Sequence, residues 1–302
     1  MTSRSRSFAL CTRWDEHGDT FGKAHRDPNT YTTGRIDKYN VVLALLSGMG
    51  KAKGAAAAAS IRSSYVDLGL VLLVGICGGV PHHGQDEILL GDVVISKRVV
   101  QYDFGRKYPD TFARKDTIED NPSKPDKNVH NLALFNTYNG KDILHERTAH
   151  FLGQLQLNAK TYQDKYRYPG TDEDKLFESS YGHKHCSSPP CICSDCHGRK
   201  DPVCRVALDS ICHDLGCNEE YLEPRERLEA RRQLEQEKED KAQEPAIHVG
   251  AIASGDTVMK SGEDRDRIAK KEGVIAFEME GAGVWDELPC LVVKGVCDCR
   301  LP

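Results

Sequence analysis

Alternating apolar and polar positions predict strands and helices in two separate stretches of the chain. In the first stretch, residues 31–105, TYTTGRI and VVLALL have strand patterns. A glycine turn at residues 47–51 then precedes an alanine-rich run that favours a helix. The apolar run 68–74 ends in a glycine-rich loop, which is typical of a parallel strand buried on both faces.

The second stretch, residues 245–298, repeats this alternation. HVGAIASGD and CLVVKGVCD read as strands, and AFEMEGAGVW reads as the start of a helix. Strands that alternate with helices predict an α/β fold of three layers, with a central, mostly parallel sheet flanked by helices. We therefore expect residues 31–105 and 245–298 to share one sheet within a single domain, 31–302.

The rest of the chain has no such pattern. Residues 1–30 form a polar, irregular segment, and residues 106–244 are rich in charges, prolines and turns, so we expect an elaboration outside the sheet. Within it, residues 183–217 are cysteine-rich. Residues 225–243 are charged on every side and predict a solvated helix or a linker.

Composition excludes several classes of partner. The 302 residues are 39% hydrophobic, which is enough apolar surface for a core. A formal charge of -5 from 41 basic and 46 acidic residues gives no basic field for nucleic acid or an anionic membrane. No apolar run has the length of a membrane helix or a secretory segment, so we expect a cytoplasmic protein.

Cysteine usage indicates reduced thiols or a metal site. Six of the twelve cysteines lie between residues 191 and 217, in a long chain without an export signal. Such spacings suit a structural zinc, and unligated packing cysteines are the alternative. The candidate ligands are Cys191, Cys193, Cys196 and Cys204, with His183 and His185 nearby. We expect no cofactor for catalysis.

Four segments taken together resemble the nucleoside phosphorylase and nucleosidase superfamily, in the form found in fungal proteins, where this domain can precede receptor-like modules. They are SGMGKAKGAAAA, VGICGGVPHHGQDEILLGDVVIS, IASGDTVMKSG and AFEMEGAGVWDELPCLVVKGVCD. Each segment alone is a weak signal, whereas their order and spacing are specific. The resemblance implies an enzyme domain that cleaves the N-glycosidic bond of purine nucleosides.

The glycine loop is the first candidate for substrate contact. Strand ends of an open parallel sheet gather at one edge, and Gly75, Gly78 and Gly79 let the backbone approach a ligand there. A tight structural turn is the alternative. The resemblance implies that Gly78 and Gly79 line the substrate site.

Two carboxylates flank a methionine in the EMEG segment. At a strand end or in a first helical turn, this spacing aims Glu278 and Glu280 in different directions. The resemblance implies that Glu280 accepts hydrogen bonds from the ribose 2′- and 3′-hydroxyls and that Met279 packs against the sugar. Glu278 belongs to the same predicted substrate-binding set. The alternative for Glu280 is a carboxylate favoured by the helix dipole.

The last predicted strand ends in Asp298, where an unpaired carboxylate would be costly unless it has a partner or a task. The resemblance implies that Asp298 is the catalytic acid at purine N7. A strand-end aspartate without catalytic function is the alternative. The resemblance also places Val258 and Met259 in the loop that holds the base, with Val258 where relatives have an aromatic residue.

Phosphorylases of the superfamily grip phosphate with an arginine and a hydroxyl residue, which are Leu73 and Ile76 here. Hydrolysis is therefore the favoured reaction. One alternative is a phosphorylase in which Arg98, Arg106 or a neighbouring subunit compensates. Another is a nucleoside-sensing domain of a receptor-like protein. A homo-oligomer is left open.

The resemblance also implies features that the chain lacks. The water-activating glutamate of the nucleosidases has no counterpart before Tyr31, and the chain stops four residues after Asp298. By this comparison we expect a chain truncated at both ends, with slow or no turnover.

Overall fold

The computed structural model describes residues 13–14, 22–115, 140–158, 166–186, 191, 193, 203–210 and 212–298. In chain order its strands are β1 (Arg13–Trp14), β2 (Tyr31–Ile36), β3 (Tyr39–Ala44), β4 (Leu72–Gly79), β5 (His82–His83), β6 (Asp86–Glu87), β7 (Val93–Gln101), β8 (Gly105–Lys107), β9 (Phe112–Arg114), β10 (Ile247–Ser254), β11 (Val274–Glu278) and β12 (Leu291–Asp298). Its α-helices are α1 (Lys51–Ser64), α2 (Lys141–Asn158), α3 (Arg205–Asp209), α4 (Cys212–Leu215), α5 (Glu226–Gln236), α6 (Gly262–Glu272) and α7 (Gly281–Glu287).

The centre of the fold is a mixed sheet that closes into a barrel in the order β10-β11-β4-β12-β7. β10 runs parallel to β7 and β11, and β4 runs parallel to β12, whereas the β11–β4 and β12–β7 pairs are antiparallel. Strands from both predicted stretches meet here, since Val74 pairs with Val293. The predicted α/β fold, with a sheet flanked by helices and a cysteine-rich region, is confirmed.

One part of the predicted sheet is wrong. β2 and β3 pair with each other and with β1 in a separate antiparallel sheet. Only two residues, Asp37 and Lys38, connect the paired ends of β2 and β3, and Asp37 has a φ of 52°. A tight turn with positive φ folds the chain back on itself, so the two strands form a local hairpin.

The helices α1 and α7 pack closely because both carry glycines at their contact. A Cβ at Gly283 would lie 2.0 Å from the carbonyl oxygen of Lys51, and one at Gly54 would lie 2.9 Å from that of Glu280. Beneath them lies an apolar cluster that includes Ala58 and the fully buried Trp285. This packing sets the start of α7 directly beside the turn that precedes α1.

The charged segment 225–243 contains helix α5, and one face of this helix packs on the barrel. Asp92, fully buried at the start of β7, accepts hydrogen bonds from Arg227 (2.8 Å) and Arg231 (3.3 Å) and lies 2.9 Å from His248 Nε2. Burial alone would raise the pKa of Asp92, but the bonds from Arg227 and His248 outweigh it and hold that pKa well below its usual range. The arginines of α5 are therefore anchors to the barrel.

None of the helices in the described part of the chain is both long enough and apolar enough to cross a membrane.

Candidate functional site

The carboxyl ends of three barrel strands meet at one place. Gly78, near the end of β4, pairs with Phe277 of β11 on one side and with Asp298 of β12 on the other. Gly79 pairs with Ala276. The prediction of a loop at these glycines is wrong, because Gly75, Gly78 and Gly79 are hydrogen-bonded members of β4. The predicted glycine loop and the EMEG segment are thus brought together from sequence positions about two hundred residues apart.

Asp298 is described as a strand position only. Its backbone lies beside Gly78 at the end of β12, and its side chain lies outside the described residues. The role of Asp298 as the catalytic acid stays a prediction.

Glu278 is a buried carboxylate that caps the start of α7. Its oxygens accept hydrogen bonds from the backbone N–H groups of Glu280 (3.1 Å) and Gly281 (2.9 Å), and one lies 3.2 Å from Lys294 Nζ. These contacts satisfy donors at a helix N-terminus that would otherwise have no partner. The contacts of Glu278 are therefore structural, and its substrate contact stays a prediction.

Glu280 occupies the N-cap position of α7, and its side chain is oriented differently from that of Glu278. One carboxylate oxygen lies 3.0 Å from Lys294 Nζ, and the other makes a long contact of 3.5 Å with Gly50 N–H. Its side chain is 14% exposed, whereas that of Glu278 is fully buried. Glu280 is thus the carboxylate of the pair that solvent or a ligand can reach.

Lys294, which the sequence analysis did not single out, holds both carboxylates. Its side chain is 2% exposed in the middle of β12. Gly75 pairs with it across the sheet, and a Cβ at Gly75 would lie 3.0 Å from Nζ, so the glycine leaves room for the ammonium group. Burial by itself lowers the pKa of Lys294, but Glu278 and Glu280 outweigh it and raise that pKa. A lysine inside an apolar strand was the signal that could have found it.

A second ion cluster joins three loops beside the first. Lys51 Nζ lies 2.6 and 2.8 Å from the two carboxylate oxygens of Asp103, which also accepts from Asp256 N–H at 2.8 Å. Asp256 in turn accepts from Lys51 N–H at 2.8 Å. Burial alone would raise the pKa of Asp103, but the bonds from Lys51 and Asp256 N–H outweigh it and lower that pKa. Lys51 and Asp103 were also not predicted as site residues, since each is a single charged residue that no local sequence pattern distinguishes.

Taken together, the two clusters carry an excess of negative charge. Four carboxylates (Glu278, Glu280, Asp103 and Asp256) face two ammonium groups (Lys51 and Lys294), which leaves a net charge of -2 among these side chains. The long contact between Gly50 and Glu280, next to Lys51, places the two clusters side by side. Such a site favours a cationic or hydroxyl-rich ligand over an anion.

The predicted base-binding residues lie in and around the loop that follows β10. Val258 is 55% exposed in this loop. Met259 is partly buried against an apolar cluster that includes Tyr102 and Phe277, whose rings meet edge to face at 5.5 Å. Burial raises the pKa of Tyr102 to about 12, so its protonated hydroxyl donates to the Thr257 carbonyl (3.0 Å) and fixes the loop.

Met279 lies half-buried between the two glutamates. Its contact with a sugar, like those of the glycine loop and the β10 loop with a base, stays a prediction.

The positions expected to hold phosphate in a phosphorylase are apolar and differ in burial. Leu73 is buried in the main apolar cluster, whereas Ile76 is 67% exposed. Arg98 donates to the Glu272 carbonyl at the end of α6 (2.8 Å), and Arg106 is exposed in the hairpin of β8 and β9.

The predicted zinc ligands are partly brought together. Cys191, Cys193 and Cys204 lie close to one another, and His185 completes their group. Cys196 lies outside the described residues.

Comparisons with known proteins agree with the sequence resemblance. A family model described as the phosphorylase superfamily matches residues 15–140. A nucleotide-binding leucine-rich repeat (NLR)-like protein of Hyaloscypha variabilis is 30% identical over 288 residues, which are 93% of this chain and 24% of that protein. The 5′-methylthioadenosine/S-adenosylhomocysteine nucleosidase of Mycobacterium bovis is 35% identical over 75 residues, which are 25% of this chain and 27% of that protein.

A solved structure also aligns with this chain, at low similarity. The 5′-methylthioadenosine/S-adenosylhomocysteine nucleosidase of Colwellia psychrerythraea, in complex with adenine, aligns at 16% identity over 92% of this chain and 74% of that one, with a TM-score of 0.44. The chain spans about a quarter of the length of the curated relatives it matches. The predicted resemblance is confirmed for residues 15–140, which match the model described as the phosphorylase superfamily.

Proposed function

We propose that this domain binds a purine nucleoside at the meeting point of β4, β11 and β12 and cleaves its N-glycosidic bond by hydrolysis. The observation that carries the proposal is that the Glu280 carboxylate is both oriented by Lys294 and accessible. Lys294 holds one oxygen of this carboxylate, yet the side chain stays accessible where the strand ends meet.

A carboxylate in this state suits the ribose diol. It offers lone pairs on two oxygens, so it can accept hydrogen bonds from two vicinal hydroxyls while Lys294 keeps its orientation. An acceptor that is already oriented loses little freedom when the nucleoside binds. Met279, half-buried beside Glu280, supplies an apolar surface for the sugar.

The charge of the site suits the transition state of glycosidic cleavage. As the bond between sugar and base breaks, positive charge develops on the ribose ring, and the net charge of -2 of the two ion clusters stabilises it. The same charge repels a phosphate dianion. Since Leu73 and Ile76 supply no compensating cation or hydroxyl group, water is the favoured nucleophile.

Negative charge develops on the departing base at the same time. We assign its neutralisation at N7 to Asp298, which ends β12 beside Gly78. In this arrangement Gly78, Gly79, Val258 and Met259 surround the base. The proposed reaction uses no cofactor, and any zinc bound by the cysteine-rich segment would be structural.

The proposal is tested by incubating the purified chain with adenosine, inosine and guanosine, with and without phosphate, and identifying the sugar product. We expect free ribose at a rate that phosphate does not change. Asp298→Asn should slow release of the base by roughly 10²- to 10⁴-fold, the range for loss of a positioned acid. The exposed Asp67→Asn is the matched control. Phosphate-dependent formation of ribose 1-phosphate would overturn hydrolysis.

A second candidate function is nucleoside sensing without turnover. It is favoured by the likeness to the NLR-like protein of Hyaloscypha variabilis, which covers 93% of this chain. Saturable binding of a nucleoside with no release of base over prolonged incubation would support this function over catalysis.

A further inference from the structure

We propose that the segment between residues 183 and 217 binds two zinc ions, one in each of two separate clusters of histidine and cysteine side chains. The clusters interleave along the chain, because His183 belongs to one and His185 to the other. Neither cluster includes a residue of the strand-end site.

The first cluster consists of His185, Cys191, Cys193 and Cys204, whose ligand atoms all lie within 4.8 Å of one another. His185 Nδ1 lies 3.3 Å from Cys193 Sγ and 3.5 Å from Cys204 Sγ, and the Cys191 and Cys193 sulfurs are 3.7 Å apart. A zinc tetrahedron with Zn–S of about 2.3 Å and Zn–N of about 2.0 Å separates two sulfurs by about 3.8 Å and a sulfur from a nitrogen by about 3.5 Å. The four side chains thus already have the spacing of a closed zinc site.

The second cluster is built on His183, whose Nδ1 lies 3.6 Å from Cys212 Sγ and 3.7 Å from Cys217 Sγ. The other ring nitrogen, Nε2, lies 2.9 Å from the carbonyl oxygen of Ser210. A hydrogen donated from Nε2 to this carbonyl leaves the lone pair of Nδ1 directed at the two sulfurs. Histidines that bind metals are oriented in this way by a backbone carbonyl.

Cys186 is the candidate for the fourth ligand of the second site. Its backbone N–H donates to the Leu215 carbonyl (2.8 Å), two residues before Cys217. The Tyr181 hydroxyl lies 3.5 Å from Cys186 Sγ and also accepts from the N–H of Asn218, the residue after Cys217. Cys186 is thereby fixed beside the cluster, and rotation of its side chain brings the sulfur to the metal.

The small core of this segment explains why it would need metals. In the part of the segment that the structure describes, the fully buried apolar cluster consists of Cys193, Ala207 and Leu215. The helices α3 and α4 have five and four residues and cannot be stable alone. Metal binding supplies folding energy to segments of this kind.

These ligand sets differ from the one that spacing suggested. His185 takes the place that Cys196 has in the sequence-based set, and the second site involves His183, Cys212 and Cys217. With Cys186 as the fourth ligand of the second site, both sets consist of one histidine and three cysteines, which leave no open position for a substrate. The zinc ions would therefore be structural.

The test is elemental analysis of the full chain purified without chelators, which should contain two zinc ions per molecule. Cys193→Ser and Cys212→Ser should each remove one zinc ion, and Cys186→Ser should weaken only the second site. Cys196→Ser and the exposed Cys297→Ser are controls that should keep both ions. Loss of a zinc ion in Cys196→Ser would overturn the role given to His185.

A titration of the zinc-free chain with cobalt needs no variant, so its result cannot be affected by a variant that fails to fold. Thiolate-to-cobalt absorption that saturates at two equivalents supports the proposal. Saturation at one equivalent overturns the second site. A folded chain that binds neither zinc nor cobalt overturns both sites.

Discussion

Lys294→Met should destabilise the domain strongly, because it leaves two carboxylates close together without their cation. Lys294 Nζ lies 3.2 Å from Glu278 and 3.0 Å from Glu280, and both the lysine and Glu278 are almost fully buried. At these separations each ion pair is worth about 5 kcal/mol with an effective dielectric constant of about 20. Burying the lysine costs several kcal/mol, which the variant regains, so the expected loss is about 3 to 5 kcal/mol, as for other broken buried ion pairs.

Urea unfolding followed by circular dichroism measures this loss. The exposed Lys270→Met, in α6, is the matched control and should change the free energy of unfolding by no more than about 0.5 kcal/mol. The double variant Lys294→Met/Glu280→Gln should be more stable than Lys294→Met alone, because it removes one of two repelling charges. A loss below about 1 kcal/mol in Lys294→Met, or no recovery in the double variant, would refute the assigned ion-pair geometry.

Two further substitutions test the packing around the site. Asp92→Asn should cost about 3 to 5 kcal/mol, because it leaves the arginines of α5 without their buried carboxylate. The folded-state pKa of Asp92 is lowered, so the stabilisation by this carboxylate is fully present above its unfolded pKa of about 4. This stabilisation is lost as the pH falls through the folded-state pKa. Asp92→Asn should therefore lose less stability on acidification than the unaltered chain. Equal acid sensitivity in both proteins would contradict this assignment. Gly283→Ala places a Cβ 2.0 Å from the Lys51 carbonyl oxygen and so should separate α1 from α7. We expect this substitution to lower the free energy of unfolding by about 1 to 3 kcal/mol, and with it the thermal midpoint. Gly69→Ala, where a Cβ meets nothing within 4 Å, is the control, and equal midpoints for the two would argue against close helix packing.

The parts of the fold that the sequence predicted depend on local patterns. The run that ends in Gly78 and Gly79 and the EMEG segment indicate strand ends. In the structure these strands, β4 and β11, pair antiparallel, and their carboxyl ends meet because they pair only through these terminal residues. The different surroundings of Glu278 and Glu280 follow from the change of structure between them: Glu278 ends strand β11 and Glu280 caps helix α7, so the two do not share a face as they would within one strand.

The parts that could not be predicted depend on contacts between distant segments. The arginines of α5 look solvated in a helix that is charged on all sides, and their partner Asp92 lies about 135 residues away. Lys294 is recognisable as an anomaly in an apolar strand, but the sequence does not show which carboxylates approach it. The pairing of β2 with β3 was decided by the turn at Asp37, whose positive φ is not evident from an aspartate and a lysine.

The most direct test of the account is the binding of a nucleoside and of its free base to Glu280→Gln, measured by calorimetry beside the unaltered chain and the exposed-site control Glu237→Gln. Only the nucleoside has the ribose diol, so we predict that Glu280→Gln weakens adenosine binding by roughly 10- to 100-fold, the worth of a hydrogen bond to a charged group. Adenine binding should stay unchanged in both variants. Equal losses for adenosine and adenine, or unchanged adenosine binding, would contradict the assignment of Glu280 to the ribose.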